Sequence, residues 1–384
     1  MAPSDTIPEI SPEELVRRVE GGDALEVLDV RAPFRLASGT IDIVAPAAFH
    51  NIPGSQLLDL GDPEEAGLDR AKELAVVCAQ GVASREVTAF LNEKGYRASS
   101  VRGGMAAWMR MCIARDIDPG PDLDTLVQFD RLGKGALGYL LVSDKEAVVI
   151  DPPRDPQPFL DRVARIGANV VAVADTHAHA DYISGGTELA RALSVPYFLH
   201  PADLVLPYDG RRGTIPIEPV QEGEKITFGG ATLIVEHTPG HTEGSVTYRL
   251  GDDLAFAGDF IFVRSIGRPD LGGKAEQWTE QLWQSLERAR REWPDAIRLC
   301  PAHYTSDEDR SADRSIVAPF GELREHNEPL RITSSFAFHS WVEARTQQAP
   351  EAYARIKAIN LGLLEVDAEE ADLLELGRNQ CAAG

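Results

Sequence analysis

Cysteine is scarce in this chain: four in 384 residues, at Cys78, Cys112, Cys300 and Cys381, widely spaced and without a C-x-x-C pair. That is poor material for a disulfide framework or a zinc ribbon, and the four read as reduced thiols. Positive charge is also short, with 38 Lys and Arg against 61 Asp and Glu and a formal net charge of -23. Nucleic-acid binding rests on counterions released around Lys and Arg clusters, so this balance argues against a nucleic-acid partner. An anionic small molecule stays admissible, because a few Arg can reverse the potential within a cleft. No run of about 18 apolar residues occurs, and the start "MAPSDTIPEISPEEL" lacks a basic segment followed by an apolar one. Neither secretion nor membrane insertion is signalled, which makes the cytoplasm the expected location.

What is present is ordinary globular material, 43% hydrophobic and 26% charged, with 25 Pro and 33 Gly spread along the chain as turns. The length favours two domains, or two plus an extension. Ser11-Pro12-Glu13-Glu14 before "LVRRV" is a capping box with Pro at the first helical position. Strands then alternate with helices: "ALEVLDV", "LAVVC", the helix "VASREVTAFLNEKG" ended by Gly95, and "ASSVRGG" leading to a helix around Trp108. This alternation makes a small parallel α/β sheet. Cys78 falls where a strand ends and the loop Ala79–Ser84 runs into a helix. Backbone N–H groups curling round the sulfur and the positive helix end favour a thiolate there, a nucleophile or a persulfide carrier.

From about Thr125 strands dominate, and metal-ligand residues recur at their ends: Asp151 in "VVIDPP", the run His177-Ala178-His179-Ala180-Asp181-Tyr182, His241 in "HTPGHTEGS", Asp259 in "FAGDF" and His303 in "LCPAHY". Imidazole and carboxylate hold a catalytic Zn or Fe while leaving positions open. Strand ends on one edge of a sandwich explain how residues so far apart meet. Beyond His303 lies helical material, in which Ala354, Ile356, Ile359 and Leu363 are spaced as a packing face, against the metal domain, over its cleft or at a dimer interface. Cys381 carries no assigned chemistry.

"LDVRAPFRLASGTI", "AAFHNIP", "VVCAQGVASREVTAFLNEKGY" and "VRGGMAAWM" resemble, in order, the signatures of a rhodanese domain. In that family Cys opens a C-x-x-G-x-x-S/T loop and carries sulfane sulfur, which here implies Cys78 with Gly81, Ser84 and the adjoining Arg85. Ala79 and Ala83 stand where many active rhodaneses place Arg, so persulfide exchange is favoured over rapid thiosulfate turnover. The later segments resemble the metallo-β-lactamase fold. The resemblance implies an α/β chain of three parts: a rhodanese-like parallel domain over 1–118, an αββα sandwich over 119–310, and a helical extension over 311–384 packed on the metal domain.

In the two-metal hydrolases of that fold the run reads H-x-H-x-D-H, and here the last His is Tyr182, a poor ligand near neutral pH. One metal on His177, His241 and Asp259 would leave three open positions, a set that marks non-haem Fe(II) oxygen chemistry. It is also the set of the persulfide dioxygenases, and "FIFVRSIGRPDLGG" resembles their segment after the metal Asp. That resemblance implies one Fe(II) per chain, with Zn as the alternative. The implied reaction oxidises a glutathione-type persulfide with O2 to sulfite and thiol. The rhodanese would make the persulfide from thiosulfate or return sulfite to thiosulfate. Arg268 and Arg264 become candidates for the carrier's carboxylates, with Tyr182 beside the substrate. His179, Asp181 and His303 become outer-sphere groups or alternative ligands, and Asp151 a brace for the loop of His177 and His179. The rival reading is a glyoxalase II-like zinc thioester hydrolase, and a third is a sulfurtransferase with a vestigial metal domain.

Overall fold

The computed structural model describes residues 6–383. Positions 1–5 and 384 of the expected partition lie outside the described residues.

The chain divides into two compact units. The first comprises Met1–Ile113 with Arg131–Lys134 and Leu376–Arg378. Its strands are β1 (Glu9–Ile10), β2 (Leu25–Asp29), β3 (Phe49–Asn51), β4 (Glu73–Val77) and β5 (Arg97–Val101), all parallel in the order β1-β5-β4-β2-β3. Helix α1 (Pro12–Glu20) starts as its sequence requires: Ser11 Oγ accepts from Glu14 N–H, and Pro12 occupies the first turn, a cap worth about 1 kcal/mol. Helices α2 (Gly54–Asp59), α3 (Ala83–Glu93) and α4 (Gly104–Arg110) cover the sheet. Alternation along β4 explains the two-sided core, since successive side chains point to opposite faces. Ala75 and Val77 pack with Met105 and Trp108, while Leu74 and Val76 pack with Val87 and Leu91.

The second unit comprises Ala114–Asp130, Gly135–Glu375 and Asn379–Gly384. One sheet holds β6 (Ile113–Ile117), β7 (Thr125–Arg131), β8 (Ala136–Ser143), β9 (Glu146–Ile150), β10 (Asn169–Ala174), β11 (Tyr197–Leu199) and β12 (Glu218–Pro219), in the order β12 to β6. The other holds β13 (Lys225–Phe228), β14 (Ala231–His237), β15 (Val246–Leu250), β16 (Leu254–Gly258), β17 (Arg298–Pro301) and β18 (Ala318–Pro319). Their inner faces form one core, with Tyr139, Leu141 and Val148 against Leu233, Val235 and Tyr248. β16 shows why each sheet is apolar on both faces: Leu254 and Phe256 face that core, whereas Ala255 and Ala257 pack under Leu282 and Leu286 of α7 (Ala275–Glu292). Helices α5 (Gln157–Ile166) and α6 (Gly186–Leu193) complete the layers.

Strand direction places the site. β9 and β10 are parallel, as are β16 and β17, and β14 and β16 each run antiparallel to β15. Asp151, His177, His241, Asp259 and His303 therefore each follow the exit of a strand, at a common end within each sheet.

Helices α8 (Phe320–His326), α9 (Glu328–Arg331), α10 (Ser335–Glu343), α11 (Glu351–Asn360) and α12 (Ala368–Leu374) follow. All five belong to the second unit. The buried face of α11 is Tyr353, Ile356 and Lys357, with Ala354 exposed. Of the expected stripe, Ile356 is buried and Ile359 and Leu363 are half-buried, and the buried face also carries a lysine. Among the described residues no helix is long and apolar enough to cross a membrane.

Candidate functional site

Cys78 follows β4 and is 6% exposed. Gly81 N–H donates to its Sγ at 3.1 Å, and Ser84 Oγ lies 3.2 Å away with Ser100 Oγ behind it at 2.9 Å. Burial pushes the thiol's pKa up, but the Ser84 hydroxyl and the N–H groups of Ser84, Gln80 and Gly81 outweigh it and hold the pKa below the ordinary value. The loop is tight enough that a side chain on Gly104, which has a φ of +58°, would meet Cys78 O at 2.4 Å. Arg85, expected beside the sulfur, instead pairs with Glu9 at 2.5 Å because the helix turns it toward β1.

In the second unit, ligand atoms of His177, His241 and Asp259 lie within 4.8 Å of one another, all buried. Asp259 Oδ2 is 3.3 Å from His241 Nε2 and 3.7 Å from His177 Nε2. Bonds of about 2.1 Å to one ion separate ligands by about 3.0–3.4 Å, so the spacing suits a shared metal after a small contraction. His177 Nε2 and Asp259 Oδ2 have no hydrogen-bond partner among the described residues, and orphaned buried polar atoms are costly unless something else binds them.

The imidazoles are set for that role by their other nitrogens. His241 Nδ1 lies 3.0 Å from Arg268 O, an acceptor only, so Nδ1 carries the proton and Nε2 is bare. Thr176 Oγ1 donates to Asp151 Oδ2 at 2.9 Å and accepts from His177 Nδ1 at 3.0 Å, which leaves His177 Nε2 bare too. Burial, reinforced at His177 by the neighbouring His179 and His241, keeps both rings neutral, the ligating form. Burial also raises Asp259, but His303 and His241 reverse this and favour its carboxylate.

Asp151 contacts this loop through Thr176 and His179. Its backbone is left-handed, with a φ of +52°. Its Oδ1 accepts from Thr176 N–H at 2.7 Å and lies 3.0 Å from His179 Nε2. Tyr182 Oη contacts the same Nε2 at 2.9 Å, and Tyr182 is 1% exposed. Tyr182 is therefore engaged with His179 and enclosed. His179 Nδ1 has no hydrogen-bond partner among the described residues.

His303 spans two carboxylates, with Nδ1 2.6 Å from Asp259 Oδ1 and Nε2 3.0 Å from Asp181 Oδ2. Burial opposes its charge, but Asp181 and Asp259 lift its pKa to about 10. Asp181, His303 and Cys381 form a second convergent group, and Asp151, Asp175 and His179 a third.

The two arginines expected at the substrate both carry ion pairs. Arg268 is 4% exposed, forks onto Asp270 with two contacts of 2.6 Å, and donates to Gln347 O. Arg264 is half exposed and pairs with Glu308 and Asp309. Three other residues carry weight. Asp203 ties the His177 segment to the His241 segment, accepting from Ala178 N–H at 2.7 Å, Thr242 Oγ1 at 2.9 Å and Gly244 N–H at 2.9 Å. Lys357 is 3% exposed and lines a cavity with Ala178, Asp203 and Trp278, and its charge is felt at His177 and His241. Cys381 completes the second group. Asp203 stands in no recognisable run, and Lys357 and Cys381 lie in a segment whose pattern signals only helix.

Residues 131–313 match the metallo-beta-lactamase superfamily and residues 11–111 the rhodanese-like domain. A hydroxyacylglutathione hydrolase of Acaryochloris marina is 32% identical over 192 residues, 47% of this chain and 69% of that protein. A metallo-beta-lactamase from Staphylococcus aureus is similar in structure, with a TM-score of 0.57 and 28% identity over 64% of this chain and 74% of its own. ETHE1 from Myxococcus xanthus superposes with a TM-score of 0.51 and 25% identity over 66% of this chain and 100% of its own.

Proposed function

This chain belongs to the metallo-beta-lactamase superfamily and carries a rhodanese-like domain ahead of the metal domain, and from that premise we propose that it is a persulfide dioxygenase coupled to a sulfurtransferase. The observation that carries the reading is the donor set of two neutral imidazoles and one carboxylate, His177, His241 and Asp259, with His179 Nε2 turned away to Asp151 and Tyr182. The likeness to ETHE1 supports it. Such a set suits one Fe(II), which when bound supplies redox chemistry toward O2 and sulfur at its open positions. Overall, the outer sulfur of R–S–SH gains two oxygens from O2 and one from water and leaves as sulfite with two protons, and R–SH is regenerated.

The chain's own residues hold that reaction in place. Thr176 and Arg268 O fix which nitrogen of each imidazole faces inward. Asp203 keeps the two histidine segments together. Lys357 takes the cationic role expected of Arg268 and meets the negative charge of the persulfide or its carrier. Cys78 holds sulfane sulfur as the persulfide anion within its ring of N–H donors.

The competing reading, a zinc thioester hydrolase, has on its side the hydroxyacylglutathione hydrolase relative and the unpartnered Nδ1 of His179. Oxygen uptake by the anaerobically iron-loaded protein on addition of glutathione persulfide, with sulfite assayed in parallel, separates the two. Matched uptake and sulfite release, lost in His241→Ala, is the expected result. Hydrolysis of S-lactoylglutathione by the zinc form without oxygen uptake would establish the hydrolase instead.

A further inference from the structure

We propose that the cavity walled by Lys357 and Trp278 is a binding site for a small free sulfur oxyanion such as sulfite, and that an ion seated there excludes the persulfide. The cavity has a volume of about 30 Å3 and is lined by Ala178, Asp203, Glu243, Lys274, Trp278 and Lys357 together with apolar neighbours. Ala178 stands between His177 and His179, so the cavity lies against the metal-binding segment. Binding of the ion is independent of the reaction at the metal. Its part as a competitor rests on the dioxygenase reading, in which sulfite is released alongside.

Two donors in the cavity wall lack an acceptor. Lys357 is 3% exposed, and its ammonium makes no hydrogen bond or ion pair among the described residues. It lies 5.9 Å from the centre of the Trp278 ring. Trp278 is 1% exposed, and its indole N–H, which can only donate, has no partner among the described residues. A buried cation without a counter-ion is costly, and a buried N–H without an acceptor adds to that cost. The carboxylates at hand are committed elsewhere. Asp203, whose charge is felt most at Lys357, accepts from Ala178 N–H, Thr242 Oγ1 and Gly244 N–H, and Glu243 pairs with Lys274 at 3.0 Å. Both donors are also held in place. Asn360, on the helix of Lys357, donates to His179 O and Tyr182 O at 2.9 Å each, and Trp278 packs so closely on Gly272 that a side chain there would meet its Cη2 at 2.1 Å.

Size and access select the ligand. A volume of about 30 Å3 holds about two waters, the scale of a compact ion rather than of a peptide. Lys274 and Glu243 are 38% and 41% exposed, so their ion pair stands on the solvent side of the buried Lys357 and Trp278. A carboxylate tethered to a carrier would keep that pair apart for as long as it stayed bound, whereas a free ion passes and lets it close. An oxyanion of sulfur carries the charge that Lys357 lacks and several acceptor oxygens, enough to meet the ammonium and the indole N–H together. An ion so held takes the cation that the persulfide would otherwise meet, so product and substrate exclude one another.

The test is an anaerobic titration of the full-length, zinc-loaded protein with sulfite and, separately, with sulfate, followed by NMR of 15N-labelled tryptophan indoles. The Trp278 signal, identified by its loss in Trp278→Phe, is expected to shift saturably with either ion. Lys357→Met should weaken that binding at least about tenfold, and Trp278→Phe, which keeps the ring, about fivefold by calorimetry; the second variant decides if the first does not fold. Sulfite that binds without moving the Trp278 signal sits on the metal, and that result overturns the proposal. So does a Lys357-dependent shift with S-methylglutathione but with neither inorganic ion, which would make the cavity a carboxylate subsite for the carrier. In the iron-loaded protein sulfate, which does not react with persulfides, should raise KM for glutathione persulfide and leave kcat unchanged. An unchanged KM despite a shifted Trp278 signal would overturn the exclusion. Absence of oxygen uptake beside intact oxyanion binding would instead count against the dioxygenase reading alone.

Discussion

Cys78 takes its polar partners from its own loop, the N–H of Gly81 and the hydroxyl of Ser84, with Ser100 behind them. His177, His241 and Asp259 instead arrive from the exits of three strands, and they are held by Thr176 beside His177 and by Asp151, Asp203 and Arg268 O from further segments. A site made by consecutive backbone groups depends on one turn and needs no metal. A site assembled across a sandwich depends on the whole sheet and on a counter-group for every ligand, because each buried lone pair must find a cation or a proton.

That contrast can be broken or sharpened in order of expected effect. Removing a ligand should be most severe: His241→Ala is expected to lower oxygen uptake by more than the roughly 10- to 100-fold that loss of an outer group costs, checked with an oxygen electrode and metal analysis. Chelation should have the same effect on uptake while leaving the pH profile of Cys78 alkylation unmoved. A shift of that profile on metal removal would show that the two sites are not independent in construction. Asp203→Asn should then weaken metal binding by about 10- to 100-fold, read by competition with a chromogenic chelator, with the protein still folded by circular dichroism.

Smaller effects follow. Lys357→Met should raise KM for an anionic persulfide about tenfold, near 1.4 kcal/mol, with little change in kcat. An equal fall in both kcat and kcat/KM would assign the lysine to the transition state instead. Ser84→Ala should move the midpoint of Cys78 alkylation upward by about one pH unit, since a hydrogen bond to a charged group contributes roughly 1.5 kcal/mol. The sign follows from the native thiol being held below its ordinary value: the reactive thiolate persists to lower pH in the native protein and is lost at higher pH once the hydroxyl is gone.

The two sites were also unequally legible. The Cys78 loop can be read from strand, turn and helix signals alone, because its partners are near neighbours; only Arg85, on the helix surface, goes elsewhere, to Glu9. At the metal centre the ligand types and their places after strands are visible, but their company is not. Arg268 looks like a free cation in "GRPDLGG" until Asp270 closes on it, two residues along. Cys381 looks incidental because nothing in the tail signals pairing with residues 265–268.

By itself, then, the sequence determined the α/β order of the first unit and the strand-end placement of Asp151, His177, His241, Asp259 and His303. These depend on side-chain period and turn chemistry, which act over a few residues. Only the tertiary structure decided that His179 turns to Asp151 and Tyr182, that Asp203 joins two ligand segments, that Lys357 rather than Arg268 lines the cavity, and that Cys381 reaches Asp181 and His303. Each of those is a contact between elements remote in sequence. Such contacts are selected by burial and by the need to satisfy every enclosed polar atom, conditions that exist only once the two sheets and the C-terminal helices have closed around the site.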